Sequence, residues 1–168
     1  MHTFQDVPVD MIEIDPFVSI GTEWALLMAE KDGKANGMTI SWGGMGVMWG
    51  KNVAFVFVRD SRYTKEFIDG SDTFSVNFFG GKEKNALKYF GAVSGRTEDK
   101  FAATDFHVNH YKDIGFVDES SFVMVCRKLS ATKINKEDFI DGGIDETWYK
   151  DQDYHTMYIG EIVEFLAR

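Results

Sequence analysis

Three short stretches hold residue types that could bind a phosphate group or a flat ring. In VRDSRYTKEF, Arg59, Ser61, Arg62 and Thr64 stand where an apolar run gives way to a helix start. A helix N-terminus presents unpaired N–H groups and partial positive charge, so flanking hydroxyls and guanidinium groups complete a cradle for a phosphate monoester. Plain helix capping with two solvated arginines accounts for the same residues. In NGMTISWGGMGVMWGK, Thr39, Ser41 and Trp42 run into a series of glycines. Bare backbone there would let a flat ring approach closely, whereas a bent strand at a barrel corner is the simpler use. GAVSGRTEDKF puts Ser94, Arg96 and Lys100 on a small loop, which offers a second anion or ring-edge contact, or a helix stop followed by a solvated turn.

Other chemistry is thinly supported. Gly44, Gly46 and Gly50 give G-x-G-x-x-x-G with no helix behind them, which does not fit the dinucleotide fingerprint. His107 and His110 have a spacing that suits a metal, but no accompanying cluster, and they read as surface or loop histidines rather than a metal site. His155, near Asp153, is either an exposed strand end or a contact to a substrate's amide or ring. Cys126 sits in an apolar strand without an activating neighbour and reads as a core thiol. The chain has no G-x-S-x-G elbow, P-loop or H-E-x-x-H motif.

The elements that must position these residues follow from periodicity. After a lead-in over residues 1–16, Phe17 to Gly21 is predicted as a short strand. WALLMAEKDGKANGMTISWGG is a hairpin turning at Asp32-Gly33. Asn52 to Asp60 reads as a strand buried on both faces, and a short helix is predicted at about Tyr63 to Asp69. A strand over Thr73 to Gly80 carries Asn77 and Phe78, and a second helix ends at Gly91. TEDKFAATDF offers a further helical turn with Thr97 as cap. Phe122 to Ile134 and Tyr154 to Arg168 are strands, separated by a polar excursion over 135–153 that is partly helical. Strands dominate and do not alternate with helices, so the expected fold is mainly β with short helices, an antiparallel barrel rather than a doubly wound sheet.

Composition sets the outer bounds. A chain of 168 residues, 44% hydrophobic and 27% charged, is sized for one domain with one core. Aromatics at 15%, with 16 Gly and 2 Pro, favour strands joined by tight turns. A net charge of −9 repels polyanions, so nucleic acid is not an expected partner, although a local cluster can still hold a small anion. The single cysteine points to a reducing, cytoplasmic setting. No export signal and no membrane segment is read in the sequence.

Taken in order, NGMTISWGGMGVMWGK, RDSRYTKEFIDGSDTFSVNFF, KYFGAVSGRTEDKF and DYHTMYIGEIVEF resemble the flavin reductase-like family, which includes flavoredoxin. The likeness runs from about Asn36 to the C-terminus. It implies an FMN-binding split β-barrel, as a rule a homodimer. By that likeness Thr39, Ser41 and Trp42 line the isoalloxazine ring, and Arg59, Ser61, Arg62 and Thr64 take the ribityl phosphate. Asn77 and Phe78 form the floor, and Ser94, Arg96 and Lys100 close the site. The flavin supplies the chemistry, so no side chain is assigned as acid or base. The implied activity is an oxidoreductase taking hydride or electrons from NADH, NADPH or a protein donor and passing them to free flavin or another acceptor. An FMN-binding electron carrier without its own NAD(P)H turnover is the alternative, and a binding module with incidental flavin is a third. Where relatives often carry Gly-Asp-His facing the nicotinamide, this chain has Asp153-Tyr154-His155, which leaves the electron donor open.

Overall fold

The computed structural model describes residues 1–168. Its strands are β1 (Gln5–Asp6), β2 (Ala25–Lys31), β3 (Lys34–Ile40), β4 (Gly43–Met48), β5 (Lys51–Arg59), β6 (Thr73–Phe78), β7 (Val108–Tyr111), β8 (Ile114–Val117), β9 (Phe122–Lys133) and β10 (His155–Ala167). Three short helices intervene, α1 (Thr64–Asp69), α2 (Lys84–Ala92) and α3 (Gly142–Trp148). The main sheet runs β3-β2-β6-β9-β10-β5-β4 with every pairing antiparallel, β1 adds to the far end of β10, and β7–β8 form a separate hairpin.

β3 and β4 lie at opposite edges of this order, yet only Ser41 and Trp42 separate them along the chain. Three Cα steps of about 3.8 Å reach about 11 Å. A flat sheet would hold those edges about 29 Å apart, at roughly 4.8 Å per spacing. The sheet must therefore curl until its edges meet at the Ser41-Trp42 corner. The two edges do not pair with each other, so the barrel is split along that seam.

Alternation along the strands fills the interior. Leu27, Val56, Val58, Phe74, Val76, Met124 and Tyr158 belong to a buried cluster of 19 residues inside the barrel. Leu26 and Met28, on the opposite face of β2, pack with Leu87, Phe90 and Phe106 beneath α2. β2 is thus buried on both faces, and its hairpin turns at Asp32-Gly33 with φ of 52° and 73°.

Several expectations are corrected. Phe17 to Gly21 is not a strand: Phe17–Thr22 forms a π-helix, because the Asp15 carboxylate accepts from the N–H groups of Phe17 and Val18 and Pro16 fixes a helical start. β5 is not buried on both faces, since Phe55 and Phe57 are only half-covered on its outer side. The turn after Arg96 is capped by Asp99, which accepts from Phe101 and Ala102, rather than by Thr97, whose hydroxyl donates back to Ser94 O. The β7–β8 hairpin has no counterpart in the sequence reading. The excursion over 135–153 is partly helical, as expected, with α3 capped by Asp141.

Candidate functional site

The seam opens into a slot of about 200 Å³. The corner contributes Thr39, Ser41 and Trp42, β5 contributes Phe57 and Arg59, β10 begins with His155, and Trp148 ends α3. Trp42 meets Trp148 edge-on at 5.1 Å between centroids and lies 5.1 Å from the His155 ring. All three rings line the slot. Gly43 makes the corner possible: its φ is +152°, and a Cβ there would lie 2.6 Å from Phe55 O. Thr39 donates its hydroxyl to Leu87 O in α2, which fixes that side of the slot.

His155 stands opposite Arg59 in the β10–β5 register. Burial, with Arg59 next, pushes its imidazole down to about 4, so the ring is neutral at physiological pH. Its Nδ1 lies 2.7 Å from the Tyr149 hydroxyl.

Arg59 does not turn towards the phosphate-type residues that follow it. Its guanidinium donates to Trp148 O and Asp153 O, both at 3.0 Å, with Asp151 at 3.6 Å and the Tyr149 ring beneath it. The end of a helix exposes carbonyls and partial negative charge, so a guanidinium is well matched to the α3 terminus. Arg59 thereby pins the excursion against the seam.

A smaller cavity of about 100 Å³ is lined by Ser61, Arg62, Thr64, Ser94, Gly95 and Lys100. The strand-to-helix corner after β5 and the loop after α2 build it jointly. Arg62 donates to Gly91 O at 2.8 Å and Phe90 O at 3.3 Å. Lys100, 3% exposed, donates to Gly37 O at 2.5 Å and Phe90 O at 3.1 Å. Both cations therefore sit on the C-terminal carbonyls of α2. Burial first, and Arg62 second, push the Lys100 ammonium down to about 8.

Thr64 is buried and accepts from Asn36 Nδ2 at 2.8 Å, which leaves its own O–H free to donate. Ser61 is engaged by Asp153, which takes its hydroxyl at 2.5 Å and its N–H at 3.0 Å. The backbone N–H groups of Tyr63, Thr64, Ser94 and Gly95 have no partner within the chain. Gly95 allows the loop to close down, because a Cβ there would lie 2.2 Å from Asn36 Oδ1.

Ser61, Arg62, Thr64, Ser94 and Lys100 are thus gathered into one cavity, and Thr39, Ser41, Trp42 and His155 into the slot. Arg96 lies at the edge of a larger cleft of about 590 Å³ that shares Lys100 and Gly95; it stacks on Tyr63 at 5.0 Å and pairs with Glu66 at 2.6 Å. Asn77 and Phe78 line neither the cavity nor the slot. Asn77 is buried and bonds Leu26 O and Val117 N, tying β8 to β2 and β6, while Phe78 stacks on Phe122. His107 and His110 rest on separate carboxylates, Glu119 and Glu30. The sequence reading missed Phe57 and Trp148, the latter from the excursion; an aromatic residue within an acidic stretch was the available signal.

The family described as "Flavin reductase like domain" matches residues 17–168. The structure is similar to that of flavoredoxin from Methanosarcina acetivorans, at 27% identity and TM-score 0.65, covering 86% of this chain and 68% of that one. It is also similar to an FMN-binding domain of a flavin reductases-like enzyme from Shewanella baltica, at 15% identity and TM-score 0.71, covering 98% and 77%. Flavoredoxin of Desulfovibrio vulgaris aligns at 20% identity and TM-score 0.65, covering 86% and 68%. No curated protein matches the chain. With a family match that spans the split barrel and both halves of the site, the chain belongs to the flavin reductase-like family.

Proposed function

We propose that the protein holds FMN across the cavity and the slot and works as an oxidoreductase. It takes hydride or electrons from NADH, NADPH or a protein donor and passes them to free flavin or another acceptor. The observation that carries this reading is that α2 ties together two unlike spaces: Thr39 of the slot donates to Leu87 O, and Arg62 and Lys100 of the cavity donate to Phe90 O. The cavity's donor set fits a phosphate monoester: two cations, the hydroxyls of Thr64 and Ser94 and four unpaired backbone N–H groups. The slot's tryptophans and neutral histidine fit a flat ring.

When bound, FMN supplies the redox chemistry. The chain's residues bind and orient it. Ser61, Arg62, Thr64, Ser94 and Lys100 hold the phosphate, Thr39 and Ser41 edge the ring, and Trp42 and Trp148 exclude water from it. Arg96 closes the outer side from the Tyr63 ring, and Asn77 and Phe78 support the floor from within the core. Arg59 acts through the excursion that it pins rather than on the phosphate.

The alternative, an FMN-binding electron carrier without NAD(P)H turnover, is favoured by one observation. Asp153 and His155, at the stretch where relatives often meet nicotinamide, are already engaged by Ser61 and Tyr149. We further propose a homodimer, because Val47 and Trp49 on and beside the edge strand β4 are 76% and 58% exposed. Buried Cys126 suits a reducing cytoplasmic setting.

Absorbance and mass measurement of the ligand bound to purified protein test the cofactor. Loss of the visible flavin band on anaerobic addition of NADH or NADPH identifies a reductase, and persistence of the band until a redox protein is added identifies a carrier. A protein that takes up no FMN contradicts both readings. Sedimentation of monomer alone at micromolar concentration contradicts the dimer.

A further inference from the structure

α3 carries its apolar side chains outward. Ile144 and Trp148, four apart on one face, are 40% and 52% exposed, and Ile140, just before the cap Asp141, is fully exposed. Single exposed apolar residues are ordinary. These, however, run directly into the seam, where Trp148 touches Trp42, itself 38% exposed. Around them residues 135–153 carry seven carboxylates against Lys136 and Lys150, a net −5 of the chain's −9. An apolar centre within a segment of predominantly negative charge has the anatomy of a protein interface whose encounter is steered electrostatically.

We propose that the face formed by Ile140, Ile144 and Trp148 docks a redox carrier protein presenting an apolar contact ringed by lysine and arginine, seated beside the slot. The inference rests on the reading that the slot holds a flavin ring. Charge selects the occupant. A second copy in a two-fold contact would set −5 against −5 across the same face. Nucleic acid and anionic membranes are repelled by the same field. A cationic carrier is attracted by it, and the small apolar area suits the brief contacts of redox partners, which bury less than about 1,200 Å².

Glu137 and Glu146 are exposed and their carboxylates bond to nothing within the chain, so E137K/E146K takes the segment from a net −5 to −1 without removing a structural contact. The probe is cytochrome c, a basic one-electron carrier, with an acidic ferredoxin as counter-probe, each titrated into labelled protein and followed by amide NMR shifts. The expected result is shifts centred on residues 140–149 and a Kd that weakens at least about tenfold between roughly 20 and 200 mM salt. E137K/E146K weakens binding about tenfold, whereas D72K/D113K, an equal charge change on other loops, weakens it less than about threefold. Equal effects of the two double variants, shifts centred elsewhere, or equally tight binding of ferredoxin overturns the proposal. So does hydrogen-exchange protection of residues 140–148 that rises with protein concentration in the protein alone, which would put a second copy on this face. The titration is run on apoprotein and on FMN-loaded protein with flavin content read by absorbance. Carrier binding without FMN uptake sinks the cofactor reading and leaves the docking face standing; FMN uptake without localised carrier binding sinks the docking face alone.

Discussion

Lys100 makes FMN affinity depend on pH in a direction fixed by its burial. Its ammonium is 3% exposed, and burial together with Arg62 holds it at about 8 instead of 10.5. A phosphate in the cavity favours the charged form and moves the pKa back towards the ordinary lysine value. Below about pH 8 the free and bound proteins both carry the ammonium, so affinity is flat there. Above it the free protein holds a neutral amine while the complex holds the ammonium; binding takes up a proton, and affinity falls as pH rises. The slope approaches tenfold per pH unit, which makes Kd at pH 9.5 roughly 10- to 30-fold weaker than at pH 7.5. Starting at pH 7.5 keeps the phosphate's own ionisation near pH 6 out of the window. Quenching of FMN fluorescence reads the Kd, and riboflavin, which lacks the phosphate, gives a flat control. Lys100→Met removes a charge-assisted contact worth about 1.5–3 kcal/mol, roughly a 10- to 150-fold weaker Kd at pH 7.5, and flattens the profile. A wild-type Kd that stays constant from pH 7.5 to 9.5, or a Lys100→Met protein that keeps the slope, refutes the placement of the phosphate beside this amine.

Asp153→Asn removes a carboxylate from the cavity's rim while keeping a hydrogen-bond acceptor for Ser61, so FMN binding tightens several-fold by the same titration; weaker binding would show that Asp153 organises the site rather than opposing the anion. Arg59→Ala withdraws a neighbouring positive charge, so the His155 pKa, now about 4, rises towards 6.5 in an NMR titration, and an unmoved value would remove Arg59 from the slot's electrostatics. Asn77→Ala leaves the buried Val117 N–H without its partner and lowers stability by about 1–3 kcal/mol in urea unfolding; a neutral result would contradict its tying role. Gly95→Ala sets a methyl 2.2 Å from Asn36 Oδ1, so FMN affinity drops with only a modest change in Tm, and unchanged affinity would detach this loop from the cavity.

Local signals read well where the chain itself creates the feature. Asp32-Gly33 specifies its turn because positive φ is cheap there, and the apolar runs of β5, β6, β9 and β10 reveal strands because burial demands them. The cluster of Ser61, Arg62 and Thr64 was legible for the same reason, since a strand running into a helix exposes N–H groups wherever it occurs. The β-branched residues of FVSIG suggest a strand, but the Asp15 carboxylate cap and Pro16 override that propensity.

A β-rich chain with a phosphate-type corner and an aromatic corner is legible from residue order, because turn chemistry, apolar periodicity and charge are properties of neighbouring residues. The tertiary structure alone decided how those corners meet. Nothing local states that β3 and β4 lie at opposite sheet edges, and it is the two-residue link between them that curls the barrel and opens the slot. Arg59 is next to the phosphate-type residues in sequence yet faces away, because alternation along β5 turns it towards α3, whereas Lys100, 36 residues after Thr64, enters the cavity through the loop that follows α2. Side-chain direction and long-range register are set by packing across the whole sheet, and no window of sequence contains them.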